Sequence, residues 1–239
     1  MTSGSPGRLI ILFAIPLMLG NICQQLYTMV DTMVVGQVAG VEALAALGAV
    51  DFLMWVVTGI STGLTQGFSI QLSQYYGAKD FENLRKSLAH SYRLTAFIAA
   101  GVLILSQSFA SLVLTGLHTP SNIIGMSLLY LRIIFCGIPA TAAYNMFASA
   151  LRAMGNSKTP LTAMIIASVL NVSLDILFVA GFGWGVAGAA IATVIAQSFS
   201  AVYCFLILRR IDIVHLTRAD FMPASGMNAR LMKLGIPVV

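Results

Sequence analysis

Charged residues are scarce in this protein. They make up 9% of its 239 residues, with 13 Lys and Arg against 8 Asp and Glu, whereas 58% of the residues are hydrophobic. Soluble domains carry about 25% charged residues, so this composition excludes an ordinary soluble globular domain. The small basic excess does not indicate a nucleic-acid partner either, because a nucleic-acid-binding face needs more exposed charge than this.

Cysteine and histidine are also rare, with three residues of each. Each cysteine falls in a different hydrophobic run, which predicts small buried side chains and no disulfide framework. The histidines lie in or near separate loops without a second ligand one helical turn away, so the sequence predicts no histidine metal site and no bound cofactor. These residues are Cys23, Cys136, Cys204, His90, His118 and His215.

The sequence is rich in long hydrophobic runs, and its mean hydropathy is +0.90. A membrane-spanning helix needs about 20 apolar residues. Six runs reach that length, at residues 9–35, 52–75, 94–117, 123–150, 161–181 and 186–208. A seventh run begins at Leu231 and reaches Val239. The sequence therefore predicts an all-α membrane protein with six spans and the start of a seventh helix.

The distribution of Lys and Arg predicts the orientation, because these residues accumulate in cytoplasmic loops. The loops around Gly40, Thr119 and Gly183 carry none. Of the 13 cations, twelve lie before span one, between spans two and three, between spans four and five, or after span six. Arg132 is the exception, inside span four. We expect a multi-pass protein of the cell (inner) membrane with a cytoplasmic N-terminus.

One segment has the spacing of an enzyme motif. Gly59, Ser61 and Gly63 form G-x-S-x-G, the nucleophile elbow of serine hydrolases. That elbow requires a strand before it and a helix after it, whereas both flanks here are hydrophobic helix. The small residues fit close helix packing better, and we expect no enzymatic activity.

Polar side chains inside the spans point to function. An ionisable residue at the centre of a spanning helix costs roughly 2.5 to 3.5 kcal/mol, so it is a functional candidate by default. Two polar stripes each follow one helix face. They consist of Gln24, Tyr27 and Asp31 in span one, and Met164, Asn171 and Asp175 in span five.

The depths of three of these polar residues agree. At about 1.5 Å per residue, Asp31 lies about 8 Å, Asp175 about 12 Å and Thr193 about 10 Å below the outer ends of their helices. Two carboxylates with an amide and a hydroxyl supply hard oxygen donors suited to Na⁺ or to a shared proton. The sequence predicts a cation site formed by Asp31, Asn171, Asp175 and Thr193.

Five sequence stretches resemble the multidrug and toxic compound extrusion (MATE) transporters, particularly their prokaryotic branch. They occur in the order found in that family. The stretches are 30–36 (VDTMVVG), 43–48 (ALAALG), 74–80 (QYYGAKD), 151–160 (LRAMGNSKTP) and 185–197 (GVAGAAIATVIAQ).

The resemblance implies two six-helix lobes around a central cavity that opens alternately to each side. It also implies that the four residues of the predicted cation site couple transport to H⁺ or Na⁺. A substrate cavity is implied at Gln24, Tyr27, Asn145 and Met164.

The length of the chain, however, accommodates one lobe. We expect residues 1–208 to form the N-terminal lobe, and residues 209–239 to form a cytoplasmic connector and the start of a second repeat. Ile15 and Pro16 align with Ile236 and Pro237 at an offset of 221 residues, and internal repeats are expected in transporters. The missing partner is a C-terminal lobe or a second copy. A lone lobe would leave its polar stripes facing lipid or that copy.

The resemblance implies a cation-coupled antiporter that exports amphipathic, often cationic drugs or toxic organic compounds across the lipid bilayer. Two alternatives stay open. A flippase for a lipid-linked precursor is expected to have a strongly cationic cavity, for which Arg132 is the candidate. A non-catalytic membrane assembly module would transport nothing.

Overall fold

The fold is helical throughout the described residues, which are 6–222 and 227–236 of this computed structural model. Eight α-helices follow one another, and short helical turns occupy part of the loops. The α-helices are α1 (Pro6–Val38), α2 (Val41–Gly77), α3 (Phe81–Gly116), α4 (Ile124–Cys136), α5 (Ile138–Ala153), α6 (Lys158–Asp175), α7 (Gly185–Arg209) and α8 (Met227–Gly235). A π-helical turn, Ile176–Gly181, extends α6.

The six predicted spans correspond to α1, α2, α3, the α4–α5 pair, α6 with its π turn, and α7. In the described part of the chain, four helices are long and apolar enough to cross a membrane, and the α4–α5 pair adds a fifth. Those four are α2, α3, α7 and α6 with its π turn. Helix α1, at 33 residues, also exceeds the length that a span needs.

Helix α2 starts earlier in the chain than predicted, at Val41, and has 37 residues. It follows Gly40, whose φ of +92° suits glycine. The segment between the observed start at Val41 and the predicted start at Phe52 is rich in alanine, a strong helix former. At about 1.5 Å per residue, α2 is about 55 Å long, so it extends beyond a hydrocarbon core of about 30 Å.

The fourth predicted span is two helices that meet at a bend of 45°. Pro139 lies at the start of α5, where it lacks the N–H that would continue the helical hydrogen bonds of α4. Gly137 at the bend packs against α7, since a Cβ at this position would lie 2.7 Å from Val194 Cγ2. The bend therefore brings α5 against α7.

Two apolar clusters hold the helices together. One surrounds Val50, Leu131 and Ala189, and the other surrounds Phe68, Met146 and Leu208. Helix α5 packs on α2, α3 and α7, whereas α1 packs mainly on α6. The face of α1 between Met18 and Met33 stays largely exposed.

The segment after α7 packs back onto the lobe. Helix α8 lies against α2 and α3, where Leu231 is fully buried. The buried ring of His90 in α3 contacts this segment at both nitrogens: Nε2 donates to the Met222 carbonyl at 3.1 Å, and Nδ1 lies 2.7 Å from the side-chain amide of Asn228. The predicted seventh run falls on α8, although Pro237 and the rest of 237–239 lie outside the described residues. The proposed boundary at residue 208 remains a prediction.

Candidate functional site

The two intramembrane aspartates meet inside the lobe. Asp31 of α1 is 6% exposed and Asp175, the last residue of α6, is fully buried. Their carboxyl groups are close enough for the charge of one to act on the other. The lobe thus buries both carboxyls by itself, and the expectation that a lone lobe would leave them facing lipid is wrong.

Each carboxyl group retains an oxygen without a partner. Asp31 Oδ1 and Asp175 Oδ1 are buried and accept no hydrogen bond from the described residues. A buried acceptor without a donor is costly unless a proton or another cation satisfies it. A proton or another cation would satisfy both oxygens.

Asn171 links the carboxyl pair to α7. In the amide orientation that satisfies both neighbours, its Nδ2 donates to Asp175 Oδ2 at 3.1 Å and its Oδ1 accepts from the backbone N–H of Thr193 at 3.3 Å. Asn171 and Asp175 are four residues apart on α6, so they share a face. The structure therefore brings together all four predicted residues: Asp31, Asn171, Asp175 and Thr193.

The backbone changes at this site as well. Helix α6 passes into the π turn directly after Asp175, and such turns are frequent at functional sites. The π turn packs closely on α7, where a Cβ at Gly188 would lie 3.0 Å from Phe178 Cβ. This contact fixes the end of α6 against the helix that carries Thr193.

A cavity of about 420 Å³ lies between α1, α2, α5, α6 and α7, and Ile134 of α4 also lines it. All four predicted cavity residues line it: Gln24, Tyr27, Asn145 and Met164. Asn145 Nδ2 donates to Thr62 Oγ1 of α2 at 3.1 Å. Asn171 and Thr193 line the same cavity, so its wall includes half of the predicted cation site. This volume lies in the range of pockets for drug-sized ligands.

Several residues that line the cavity were not predicted from the sequence to do so. Polar side chains add hydroxyl and amide groups to the wall, and Tyr144 adds a phenol. The unpredicted polar ones include Asn21, Thr58, Thr62, Gln66, Thr141, Ser168, Gln197 and Ser200. Gln66 could have been found from its position inside a hydrophobic run, but hydroxyl residues carry no such signal because they are tolerated in spanning helices.

Arg132 and Arg152 both lie elsewhere than the sequence predicted. Arg132, the predicted candidate for a cationic cavity, is exposed on the outer surface of α4 and does not line the cavity. Arg152, expected in a loop, is half-buried in the last turn of α5 and lines the cavity. Helix α5 runs past the end of its hydrophobic run, which is why sequence reasoning placed Arg152 outside the span.

The G-x-S-x-G segment is helical on both sides. Gly59, Ser61 and Gly63 lie in the middle of α2, with no strand before them. Ser61 is 6% exposed and packs inside the lobe. This segment lacks the strand-to-helix turn that a nucleophile elbow requires.

Comparison with known proteins gives a consistent assignment. A family model described as MatE matches residues 16–177. The chain is 31% identical over 236 residues to the probable multidrug resistance protein YpnP of Bacillus subtilis, covering 99% of this chain and 53% of that protein. It is 33% identical over 234 residues to the probable multidrug resistance protein YoeA of the same organism, covering 95% of this chain and 50% of that protein.

A solved structure has the same fold. It is the outward-facing conformation of a multidrug resistance MATE family transporter of the MOP superfamily, with a TM-score of 0.92 and 26% sequence identity. The match covers 98% of this chain and 52% of that one. The chain thus spans about half the length of the relatives it matches, which corresponds to one six-helix lobe. It belongs to the MatE family of multidrug and toxic compound extrusion (MATE) proteins.

Proposed function

We propose that the protein works as one lobe of a cation-coupled antiporter that exports amphipathic, often cationic organic compounds by alternating access. The observation that carries this proposal is the contact between a buried carboxyl pair and a drug-sized cavity through Asn171 and Thr193. The B. subtilis relatives are described as probable multidrug resistance proteins, which supports drugs as the substrate class.

The coupling cation is H⁺ or Na⁺. Two neighbouring ionised carboxylates repel each other, so a proton or Na⁺ between Asp31 and Asp175 would stabilise the pair. The unpartnered oxygens of both carboxyls fit such a cation. Asn171 Oδ1 and the Thr193 hydroxyl are further oxygens close by. In the described residues no group of three His, Cys, Asp or Glu side chains forms a metal site. A weakly bound monovalent cation suits a transport cycle, because the cation must be released in each cycle.

The binding of the cation and the binding of the drug would be linked through Asn171 and Thr193, which belong to both sites. A cation bound between the carboxyls changes the charge that Asn171 and Thr193 face, and both residues also face the cavity. Coupling requires only that cation and drug prefer different states of the protein, so that the binding of one disfavours the other. Entry of the cation would release the drug on the outer side and reset the cycle.

The partner that completes the transporter is a second six-helix lobe or a second copy of this chain. The exposed face of α1 between Met18 and Met33 carries large apolar side chains, and Gln24 and Gln25 beside them are also exposed. Amides in that position suit a water-filled space between two lobes better than lipid. The transporter would lie in the cell membrane with its N-terminus in the cytoplasm.

Drug flux in reconstituted vesicles tests this proposal. Vesicles with the full-length gene product should move an amphipathic organic cation when an H⁺ or Na⁺ gradient is imposed, and an ionophore that collapses the gradient should stop the flux. Transport that requires no cation gradient would refute the coupling. An absence of drug flux, together with movement of a fluorescent lipid-linked precursor between leaflets, would favour the flippase.

A further inference from the structure

Arg152 is a cation that faces the cavity. It lines the cavity from the last turn of α5, next to Tyr144 and Cys204. Its nearest hydrogen-bond acceptor is Ser149 Oγ, at 3.5 Å from Nη2. Among residues 6–222 and 227–236, the cations that form ion pairs are Arg85, Lys86 and His215. Arg152 is not one of them, so no carboxylate of these residues lies within 4.0 Å of its guanidinium.

A half-buried guanidinium with one long hydrogen bond can donate further hydrogen bonds. Arginine carries five N–H donors in a planar fork, and this fork matches the two oxygens of a carboxylate or the oxygens of a phosphate. A half-buried cation near the end of a span costs less than one at the bilayer centre, but it still loses hydration that a hydrogen-bond partner would replace. Tyr144, Cys204 and Ser149 beside Arg152 carry neutral side chains, so the guanidinium can take an anion from a molecule in the cavity.

The position of Arg152 gives the site opposite charges at its two ends. Arg152 precedes the loop that leads into α6, whereas Asp175 ends α6. Helix α6 rises by about 25 Å between Lys158 and Asp175 at 1.5 Å per residue. The guanidinium thus lies near the start of α6 and the carboxyl pair near its end, with the polar cavity wall between them.

We propose that Arg152 forms a subsite for an anionic group of the transported molecule. The substrates of this protein would then include amphipathic compounds with a carboxylate, sulfonate or phosphate, among them zwitterions whose amine is oriented toward the carboxyl pair. This proposal rests on the proposed export function and adds an anionic class to its substrates.

Two dyes that differ in one group test the subsite. Rhodamine 123 carries a methyl ester where rhodamine 110 carries a free carboxyl group. Binding of each dye to the full-length gene product in phosphatidylcholine nanodiscs is measured by fluorescence anisotropy. Because a charge-assisted hydrogen bond is lost, Arg152→Gln should weaken rhodamine 110 binding about tenfold or more. Binding of rhodamine 123 should be retained or strengthened, because removing a guanidinium from the cavity wall reduces the repulsion of a cationic dye. Retained binding of this dye also shows that the variant is folded.

Two further variants complete the comparison. Arg152→Lys keeps the charge without the fork, so it should retain part of the rhodamine 110 affinity. Arg132→Gln removes an arginine that is exposed outside the cavity and should leave both dyes unaffected. An equal loss of both dyes in Arg152→Gln, or no loss of either, would overturn the anionic subsite.

The same experiment separates this inference from the export function. If the wild-type protein binds rhodamine 123 and not rhodamine 110, the subsite is refuted and the export function stands. If it binds neither dye, drug binding fails and the subsite fails with it. Repeating the titration in nanodiscs with phosphatidylglycerol identifies the source of the anion, because loss of the Arg152-dependent binding there would assign the site to a lipid headgroup and overturn a substrate site.

Discussion

Gly67 of α2 and Gly235 of α8 lie backbone against backbone. A Cβ at Gly67 would lie 2.5 Å from the Leu234 carbonyl oxygen and 2.7 Å from Gly235 N. Neither neighbour is the end of a flexible side chain, so neither can move aside without a shift of α8. This contact holds the segment after α7 against the lobe, together with a bond from Gln71 Nε2 to Met227 Sδ at 3.0 Å.

We expect Gly67→Ala to destabilise the full-length protein by about 1 to 3 kcal/mol through overpacking. Alanine favours a helix by about 0.5 to 1 kcal/mol over glycine, so the clash and the propensity have opposite signs. Gly101→Ala, at a position where a Cβ meets nothing within 4 Å, is the control and should be neutral or stabilising. The measurements are the melting temperature and the rate of tryptic cleavage between 210 and 226. Equal melting temperatures for both variants would show that α8 is not held at Gly67.

The contact between Gly67 and Gly235 was not predictable from the sequence, because it depends on how α8 is aligned along α2. The carboxyl pair was predictable, because helical spacing placed Asp31 and Asp175 on polar faces and the rise per residue placed them at similar depths. The bend at Gly137 and the position of Arg152 were missed for one reason. A hydrophobic run gives the length of a span, but it does not indicate where the helix breaks or how far it continues past the run.

The orientation of the protein in the membrane can be tested by cysteine labelling. Gly40 and Gly183 have positive φ, where a cysteine would be strained. The exposed neighbours Val41 and Phe182 are therefore better sites. In a background without the three native cysteines, Val41→Cys, Thr119→Cys and Phe182→Cys should react with an impermeant maleimide added outside intact cells.

Cysteines on the opposite side provide the comparison. Ala78→Cys and Lys158→Cys, at exposed positions, should react only after the membrane is permeabilised. The reverse pattern would refute the cytoplasmic N-terminus. A mixed pattern would refute the count of six spans.

The 239-residue chain alone is expected to bind drug poorly and to give no cation-dependent efflux. The lobe buries Asp31 and Asp175 by itself, so the cation site alone does not require a partner. The cavity wall does, because Gln24 lines the cavity while still exposed. The measurement is gradient-driven drug flux by the purified, reconstituted chain beside the full-length gene product. Robust flux from the chain alone would favour a homodimer over two lobes in one polypeptide.

Asn171 and Thr193 should tune cation affinity without abolishing it. Asn171→Ala removes the amide that donates to Asp175 and accepts from the Thr193 N–H. Thr193→Ala removes one hydroxyl. The net value of one hydrogen bond is about 0.5 to 1.5 kcal/mol, so each variant should shift cation affinity by roughly 2- to 10-fold. Affinity for Na⁺ should fall with the lost oxygen, whereas proton affinity should rise in Asn171→Ala, which removes a donor to the Asp175 carboxylate. Thr193→Ser keeps the hydroxyl and is the control.

The measurement for these variants is the Na⁺ concentration or the pH at which half of a bound drug is released. A variant of either residue that releases drug at the wild-type midpoint would exclude that residue from the cation site. Loss of all drug binding would instead place it in the drug cavity.

The roles of Asp31 and Asp175 give opposite predictions for replacement by asparagine. If the two residues only hold α1 against α6, Asp31→Asn and Asp175→Asn should preserve most of their hydrogen bonds and leave transport intact. If they carry the coupling cation, each variant should keep expression and drug binding but lose the effect of pH or Na⁺ on drug release, because an amide side chain does not change its charge with pH. The measurement is drug binding to purified full-length variants from about pH 5 to pH 8, with and without Na⁺. Unchanged linkage in both variants would mean that the coupling site lies at other residues than Asp31 and Asp175.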